Sequence, residues 1–381
     1  MKPIPYGRQS ITEEDIQAVV EVLQSDFLTQ GPKVGEFETD FAGYIGCSYA
    51  VAVANGTAAL HLAMLANNLQ PGEKVITTPI TFSASANCVR YCGGEVLFAD
   101  IDPHSYLIDL NQVEDIFKKE KKVKGIVPVD FAGHAVNLEE LKEIADKYGA
   151  WILEDACHAP GGYFSDSKGI KQLCGNGVYA SQAIFSFHPV KHIATGEGGM
   201  ITTNDEATYK HLLNLRTHGI TRDPLLMEKN DGPWYMEMQE LGYNYRLPDI
   251  LAALGVTQLK KAAERLVRRK EIAATYSAAF SGSALTAPSY DEGHAFHLYV
   301  IQVKERKALY DYLRSKGIYA QVHYIPVHLM PYYRQFGWKK GDFPVSESFY
   351  DHCLSLPMFP TLSSEEQEYV IQEVLRNPSL L

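Results

Sequence analysis

Apolar residues along this chain come in short runs separated by polar and glycine-rich breaks, and the runs follow two different periods. "YAVAVA", "KVITTP", "GEVLFAD", "KGIVPVD" and "AWILEDA" are nearly continuous apolar stretches of strand length. Between them, "GTAALHLAMLANN", "SASANCVRYCGG" and "NLEELKEIADKYG" place apolar residues at helical spacing. In the last of these, Leu138, Leu141, Ala145 and Tyr148 share a face, and Gly149 marks the stop. Strands that are apolar on both faces and alternate with helices predict an α/β fold, with a mostly parallel sheet covered on both sides. Ligands of such sheets collect at the carboxyl ends of the strands.

Outside this alternation the texture differs. "SITEEDIQAVVEVLQS" predicts an amphipathic helix with a capping box from Ser10 to Glu13 and an apolar face of Ile16, Val19, Val20 and Leu23. "ILAALGVTQLKKAAERLVRRKEIAATYSAAF" predicts one long helix leading into a second unit. "FHLYVIQV", a helix near "RKALYDYLRSKG", the strand-like "IYAQVHYIP" and a last helix capped by Ser363 and Glu366 predict a small α+β domain. The expected division is a large domain over 1–250 and a small C-terminal domain over 251–381.

Composition narrows the function classes. The chain has 381 residues, 46% hydrophobic and 21% charged, enough to bury a sizeable core. Its net charge of -11 argues against a nucleic-acid partner but leaves room for a small anionic ligand at a local site. No stretch approaches the roughly 18 apolar residues of a membrane span, and the N-terminus shows no signal-peptide core. The six cysteines are scattered and form no C-x-x-C pair, which predicts a soluble protein of a reducing cytoplasm.

Against this background, "FSFHPVKHIATGEGG" is unexpected. It sets Lys191 between two histidines, where the local pattern reads as interior. A desolvated lysine becomes a nucleophile toward carbonyls. His188 and His192 are four apart, but Pro189 interrupts the segment and no carboxylate completes a metal motif, so no metal site is expected. Asp155 ends the strand "ILEDA" and serves either as a turn carboxylate or as the partner of a cationic ring nitrogen. "VANGTAAL" is either an ordinary α/β turn or a phosphate cradle at a helix N-terminus. Phe82, in "TPITFSASAN", is either a core aromatic or a plate for a heteroaromatic ring. Taken together, lysine, aspartate, cradle and plate are the parts a pyridoxal-phosphate site requires.

These stretches, with "FLTQGPKVGEFE", "EDACHAPGG", "RTHGI", "LGYNYRLPDILAALGVTQLKK" and "QVHYIPVH", resemble the DegT/DnrJ/EryC1/StrS sugar-nucleotide aminotransferases over nearly the whole chain. The resemblance implies the pyridoxal-phosphate fold type I, like aspartate aminotransferase, and a homodimer with shared active sites. It implies Lys191 as the Schiff-base lysine, Asp155 at the pyridine nitrogen, His158 near the ring's O3′ side and Phe82 stacked on the ring. Thr57, Ala58 and Ser186 would hold the phosphate, with Asn244 reaching it from the other subunit. Tyr6, the stretch Asp26, Phe27, Leu28 and Thr29, and His323, Tyr324, Ile325 and Pro326 would meet the sugar nucleotide.

The implied reaction moves an amino group from L-glutamate to the C4 ketone of a nucleotide-linked 4-keto-6-deoxy sugar. "TTPITFSASAN", "FSFHPVK", "RTHGI" and "QVHYIP" are most similar to the branch that makes UDP-4-amino-4,6-dideoxy-N-acetyl-β-L-altrosamine for pseudaminic acid. Perosamine-type and 4-amino-arabinose-type keto sugars remain open. So does a non-catalytic cofactor-binding regulator, although the acidic chain carries no added DNA-binding module. A pyridoxamine-dependent dehydratase would carry histidine in place of the lysine, and here the lysine is present. Cys157 occupies the variable position of the aspartate motif, and residues 165–177 are longer than the turn expected there.

Overall fold

A computed structural model describes residues 2–289 and 291–377. Its strands in chain order are β1 (Ile4–Pro5), β2 (Tyr49–Val53), β3 (Lys74–Thr77), β4 (Glu95–Phe98), β5 (Val123–Val127), β6 (Trp151–Asp155), β7 (Tyr163–Ser165) and β8 (Lys171–Leu173). They continue with β9 (Gln182–Ser186), β10 (Gly199–Thr203), β11 (Ile220–Thr221), β12 (Glu237–Met238), β13 (Tyr299–Gln302), β14 (Ile318–Tyr319) and β15 (Cys353–Leu356). The helices used below are α1 (Glu13–Leu23), α2 (Pro32–Ile45), α3 (Gly56–Ala66), α4 (Ala84–Tyr91), α5 (Leu110–Lys119), α6 (Leu138–Tyr148), α7 (Glu206–Arg216), α8 (Asp249–Lys260) and α9 (Ala262–Phe280).

The central sheet has seven strands in the order β2-β10-β9-β6-β5-β3-β4. Only β10 runs against its neighbours, so the mostly parallel α/β sheet expected from the apolar runs is present. Its strands are buried because both faces are covered: α3, α4 and α7 pack on one side, and α5 and α6 cover part of the other. β9 and β10, which flank Lys191, went unrecognised in the sequence because their apolar run continues into a turn. The 165–177 stretch is a small hairpin, β7 with β8, whose turn is held by Asp166 accepting from the Lys168 and Ile170 amides.

Four local expectations need correction. The capping box of α1 is Thr12 with Asp15, two residues later than predicted. The buried face of α1 is Asp15 and Val22, while Ile16 and Leu23 are exposed. The reason is that α1 packs on α8 through polar groups: Asp15 accepts hydrogen bonds from Thr257 Oγ1 at 2.6 Å, Gln258 Nε2 at 2.8 Å and Lys261 Nζ at 2.9 Å. The predicted long helix is two helices, α8 and α9, broken at Lys261. "IYAQVHYIP" contributes only the two-residue β14 and a bridge from Gln321 to Ser355.

A second core lies around α9, β13 and β15, and it includes Ile4 from the far N-terminus, because β1 pairs with β14. The proposed division at 250 falls at the start of α8, which itself packs on α1 and α2.

The Asp15 network supports a stability prediction. Burial alone would raise this carboxyl, but hydrogen bonds from Thr257, Thr12 and Lys261 outweigh it and hold it at about 2. A depressed folded-state pKa stabilises the fold above the unfolded value near 4, and that stabilisation is lost as pH falls toward 2. The contribution is about 2 kcal/mol. Asp15→Ala is expected to cost about 2–4 kcal/mol at neutral pH, because it removes the buried acceptor that Thr257, Gln258 and Lys261 share, and to flatten the acid limb of a melting profile. Scanning calorimetry from pH 2 to 7 checks both effects.

Candidate active site

The carboxyl ends of β2, β3, β6 and β9 meet at a cavity of about 680 Å³. Each strand end delivers a different group to it. β2 leads through Asn55 into the N-terminus of α3, and β3 leads into the loop that carries Phe82. β6 ends on Asp155 and turns through Cys157 and His158. β9 ends on Ser186, and the turn after it carries Lys191.

That turn explains the lysine in an interior-like stretch. Phe187 pairs with Gly198 at 2.8 Å and with Thr195 at 2.9 Å, closing the turn back on itself between β9 and β10. His188 and His192 therefore share no helix face, and His188 is exposed. Lys191 is held by its amide on the His188 carbonyl at 2.8 Å, while its Nζ makes no hydrogen bond or ion pair among the described residues. Burial lowers its pKa from the usual lysine value; Cys157 and Asp155 oppose that shift, and Arg269 adds to it. The unprotonated fraction of the amine is enlarged accordingly.

Asp155 is 5% exposed. Its Oδ2 accepts from Ser85 Oγ at 2.7 Å and its Oδ1 from the Cys157 amide at 3.2 Å. His158 Nδ1 accepts from the Ala132 amide at 3.2 Å, which assigns the proton to Nε2, where Tyr324 OH stands 3.3 Å away. Burial, with Lys191, His323 and His192 nearby, pushes the His158 imidazolium well below the usual histidine range, so the ring is neutral. Phe82 is 61% exposed, so it is not a core aromatic: its ring stands over the cavity, 6.2 Å from that of Tyr324.

At the start of α3, Asn55 caps the helix by accepting the Ala58 amide at 2.8 Å. The Ala58 amide is thus already committed, and the Gly56 and Thr57 amides are the donors of the first turn that find no partner among the described residues. A Cβ on Gly56 would stand 3.0 Å from the Ser186 Cβ, so only glycine lets the helix end and Ser186 close on one small anion. Asn55 and Gly56 were missed in the sequence, although the N-cap signature at Asn55 was there to be read. This donor set fits pyridoxal 5′-phosphate: a carbonyl-reactive amine, a carboxylate, a flat aromatic face and a helix-end anion site line one cavity.

The remaining predicted residues divide into two groups. Tyr6, His323 and Tyr324 line the cavity, His323 bonded to Ser355 at 2.8 Å and lowered by burial to about 3. Ile325 is exposed and Pro326 buried, and neither lines the cavity. Asp26, Phe27, Leu28 and Thr29 are exposed and lie outside it, as does Asn244. The structure shows what anchors the 26–29 segment: buried Asp249, in "GYNYRLPDI", accepts the Gly31 amide at 2.7 Å and the Lys33 amide at 2.8 Å. His297, Tyr245 and Ser85 line the cavity without having been singled out in the sequence, where nothing sets them apart from core residues.

The family model described as the DegT/DnrJ/EryC1/StrS aminotransferase family matches residues 9–375. The chain is 39% identical over 384 residues to the spore coat polysaccharide biosynthesis protein SpsC of Bacillus subtilis, covering 97% of this chain and 96% of the relative. Among solved structures it resembles PseC of Helicobacter pylori, an aminotransferase of pseudaminic acid biosynthesis, at 31% identity and a TM-score of 0.89 over 99% of both chains. It also resembles Spr1654 of Streptococcus pneumoniae, described as a sugar aminotransferase, at 29% identity and a TM-score of 0.91 in its PMP-form, over 98% of both chains; a PLP-form is known as well. By its sequence and its fold, of the type I pyridoxal-phosphate class, the chain belongs to the DegT/DnrJ/EryC1/StrS aminotransferase family.

Proposed function

We propose that the protein transfers an amino group from L-glutamate to the C4 ketone of a nucleotide-linked 4-keto-6-deoxy sugar, with pyridoxal 5′-phosphate as cofactor. The observation that carries this reading is the unpaired Lys191 amine in one cavity with Asp155 and the free amides at the start of α3. When bound, the cofactor supplies an electron sink for charge developing at the donor's α-carbon. Lys191 would hold its aldehyde carbon, Asp155 its ring nitrogen, and Gly56, Thr57 and Ser186 its phosphate. Phe82 would cover the ring, and the Nε2 proton of His158 would face O3′.

The chain's own part in catalysis is positioning and proton transfer. Lys191 Nζ, its pKa lowered by burial, takes the proton from the donor's α-carbon and later returns one at the sugar's C4. Ser85 and the Cys157 amide keep Asp155 aimed into the cavity. The side chains of Tyr324 and Tyr6 form the wall on the sugar side.

For the sugar, the reading is UDP-2-acetamido-2,6-dideoxy-β-L-arabino-hexos-4-ulose, giving UDP-4-amino-4,6-dideoxy-N-acetyl-β-L-altrosamine; likeness to PseC over 99% of both chains supports it. The 39% identity to SpsC favours a second reading, a different keto sugar nucleotide destined for a polysaccharide. A homodimer completes the site in this reading. It is supported by the β11–β12 hairpin, which exposes Leu225, Leu226, Trp234 and Met238, and by the exposed Phe27, Leu28 and Asn244. The partners are small molecules and a second copy of the chain, not nucleic acid or membrane; the net charge of -11 supports the first exclusion. Six free thiols support a cytoplasmic location.

Incubation with L-glutamate and a panel of 4-keto-6-deoxy sugar nucleotides, with NMR of the product, tests the proposal. We expect 2-oxoglutarate and one 4-amino sugar nucleotide in equal amounts. Absence of 2-oxoglutarate across the panel would overturn the amino transfer, and reaction only with a different sugar would overturn the substrate assignment.

A further inference from the structure

Behind the cavity, Asp130 and Glu154 are 1% and 2% exposed, and their carboxyl oxygens and Cys174 Sγ lie within 4.8 Å of one another. Two carboxylates cannot both stay ionised this close and this deep without a cation or enough donors. Among the described residues no lysine, arginine or histidine pairs with either. Asp130 Oδ1 accepts the Val136 amide at 2.9 Å and Glu154 Oε2 the Gly175 amide at 2.9 Å. Asp130 Oδ2 is buried and pairs with no N–H donor among the described residues; its neighbours are the Glu154 carboxyl and the Cys174 thiol. The other groups facing the pair are Asp155 and Cys157, which add negative or neutral surroundings, and the Cys174 thiol, which burial keeps protonated. A proton on one carboxyl supplies the missing donor.

The location gives this pair a consequence. Asp130 opens the turn Phe131–Gly133, in which Ala132 adopts a left-handed φ of 60°. The Asp130 amide donates to the Asp155 carbonyl at 3.1 Å, and the Ala132 amide donates to His158 Nδ1. The same turn receives the Ala295 amide on the Gly133 carbonyl at 2.7 Å and the Leu298 amide on the Ala132 carbonyl at 3.2 Å, which sets the segment that carries His297 into β13. One short turn therefore touches the backbones or rings behind three cavity-facing residues.

We propose that Asp130 and Glu154 form a proton-sharing carboxyl pair that positions Asp155 and His158. This rests on the reading of Asp155 and His158 as cofactor-facing groups. Burial raises Asp130 to about 6 although its contact with Glu154 pulls it down, and burial together with Asp130 raises Glu154 well above the ordinary glutamate value, in keeping with a single proton retained on the Glu154 side.

The test uses Asp130→Asn, Glu154→Gln and the double variant as holoenzymes. Unfolding releases the shared proton, so its stabilising effect is lost as pH rises from about 5. Either single amide replaces that proton with a fixed N–H donor. We expect the melting temperature of each single variant to gain on wild type steadily from pH 5 to 9; parallel profiles would overturn the shared proton. If one single variant does not fold, the other reads the same slope. The double variant removes a negative charge behind Asp155, which the singles conserve. The titration midpoint of the bound cofactor's visible band should fall by about half a pH unit or more in the double variant only. An unmoved band in the double variant would overturn the positioning role. A metal ion bound one per chain in wild type and lost in the single variants would overturn the proton and put a cation in its place. Asp155→Ala with an unaltered cofactor spectrum would sink the Asp155 assignment while leaving the stability test intact.

Discussion

Lys191→Ala is expected to abolish turnover, by roughly a thousandfold or more in kcat, while the protein stays folded. The size follows from two losses at one atom: the Nζ that would anchor the cofactor and the base that would move the proton at the donor's α-carbon. Folding should survive because Nζ makes no hydrogen bond or ion pair among the described residues, and the turn is held by backbone contacts through His188, Phe187 and Gly198. Removing an amine that burial already disfavours costs little. Added cofactor should still bind at the start of α3 without the absorbance of its lysine-linked form. Steady-state release of 2-oxoglutarate and a visible spectrum decide the matter; normal turnover would end the assignment.

Asp155→Ala comes next in size. The carboxylate would face the ring nitrogen from a cavity wall where it is 5% exposed, and truncating one partner of a buried charged pair costs about 3–5 kcal/mol. That predicts a loss of roughly a hundred- to several-thousandfold in kcat with a smaller change in KM, because the interaction acts on charge that develops during the reaction. Ser85→Ala should do far less, since it removes one hydrogen bond of 2.7 Å to Asp155 while the Cys157 amide remains. A kcat loss in Ser85→Ala as large as that in Asp155→Ala would mean that the hydroxyl, not the carboxylate, is the acting group.

How much of this was legible from the letters varies with the physics involved. β3, β5, β6 and the helices between them were readable because burial on both faces leaves nearly continuous apolar runs. The α1 face was misread because Asp15 is buried by partners some 240 residues away, and periodicity knows nothing of Thr257 or Lys261. The split of α8 from α9 at Lys261 was invisible because both halves have strong helix formers and neither proline nor glycine marks the break. In the cavity, Lys191, Asp155 and the start of α3 carried local signals, an odd lysine, a strand-end aspartate and small residues at a turn. His297 and Ser85 carried none, since a histidine or serine beside a strand or helix looks like any other.

By itself the chain's order of apolar runs, caps and glycines determined an α/β sheet and marked Lys191 as a candidate for carbonyl chemistry, because those depend on local chemistry and periodicity. Only the tertiary structure decided which groups meet. It brought Gly56 against Ser186, exposed Phe82 over the cavity, left Lys191 Nζ unpaired and placed Asp130 beside Glu154. Such meetings join residues from tens to well over a hundred positions apart, and close packing of the folded core sets them rather than any neighbour in the sequence.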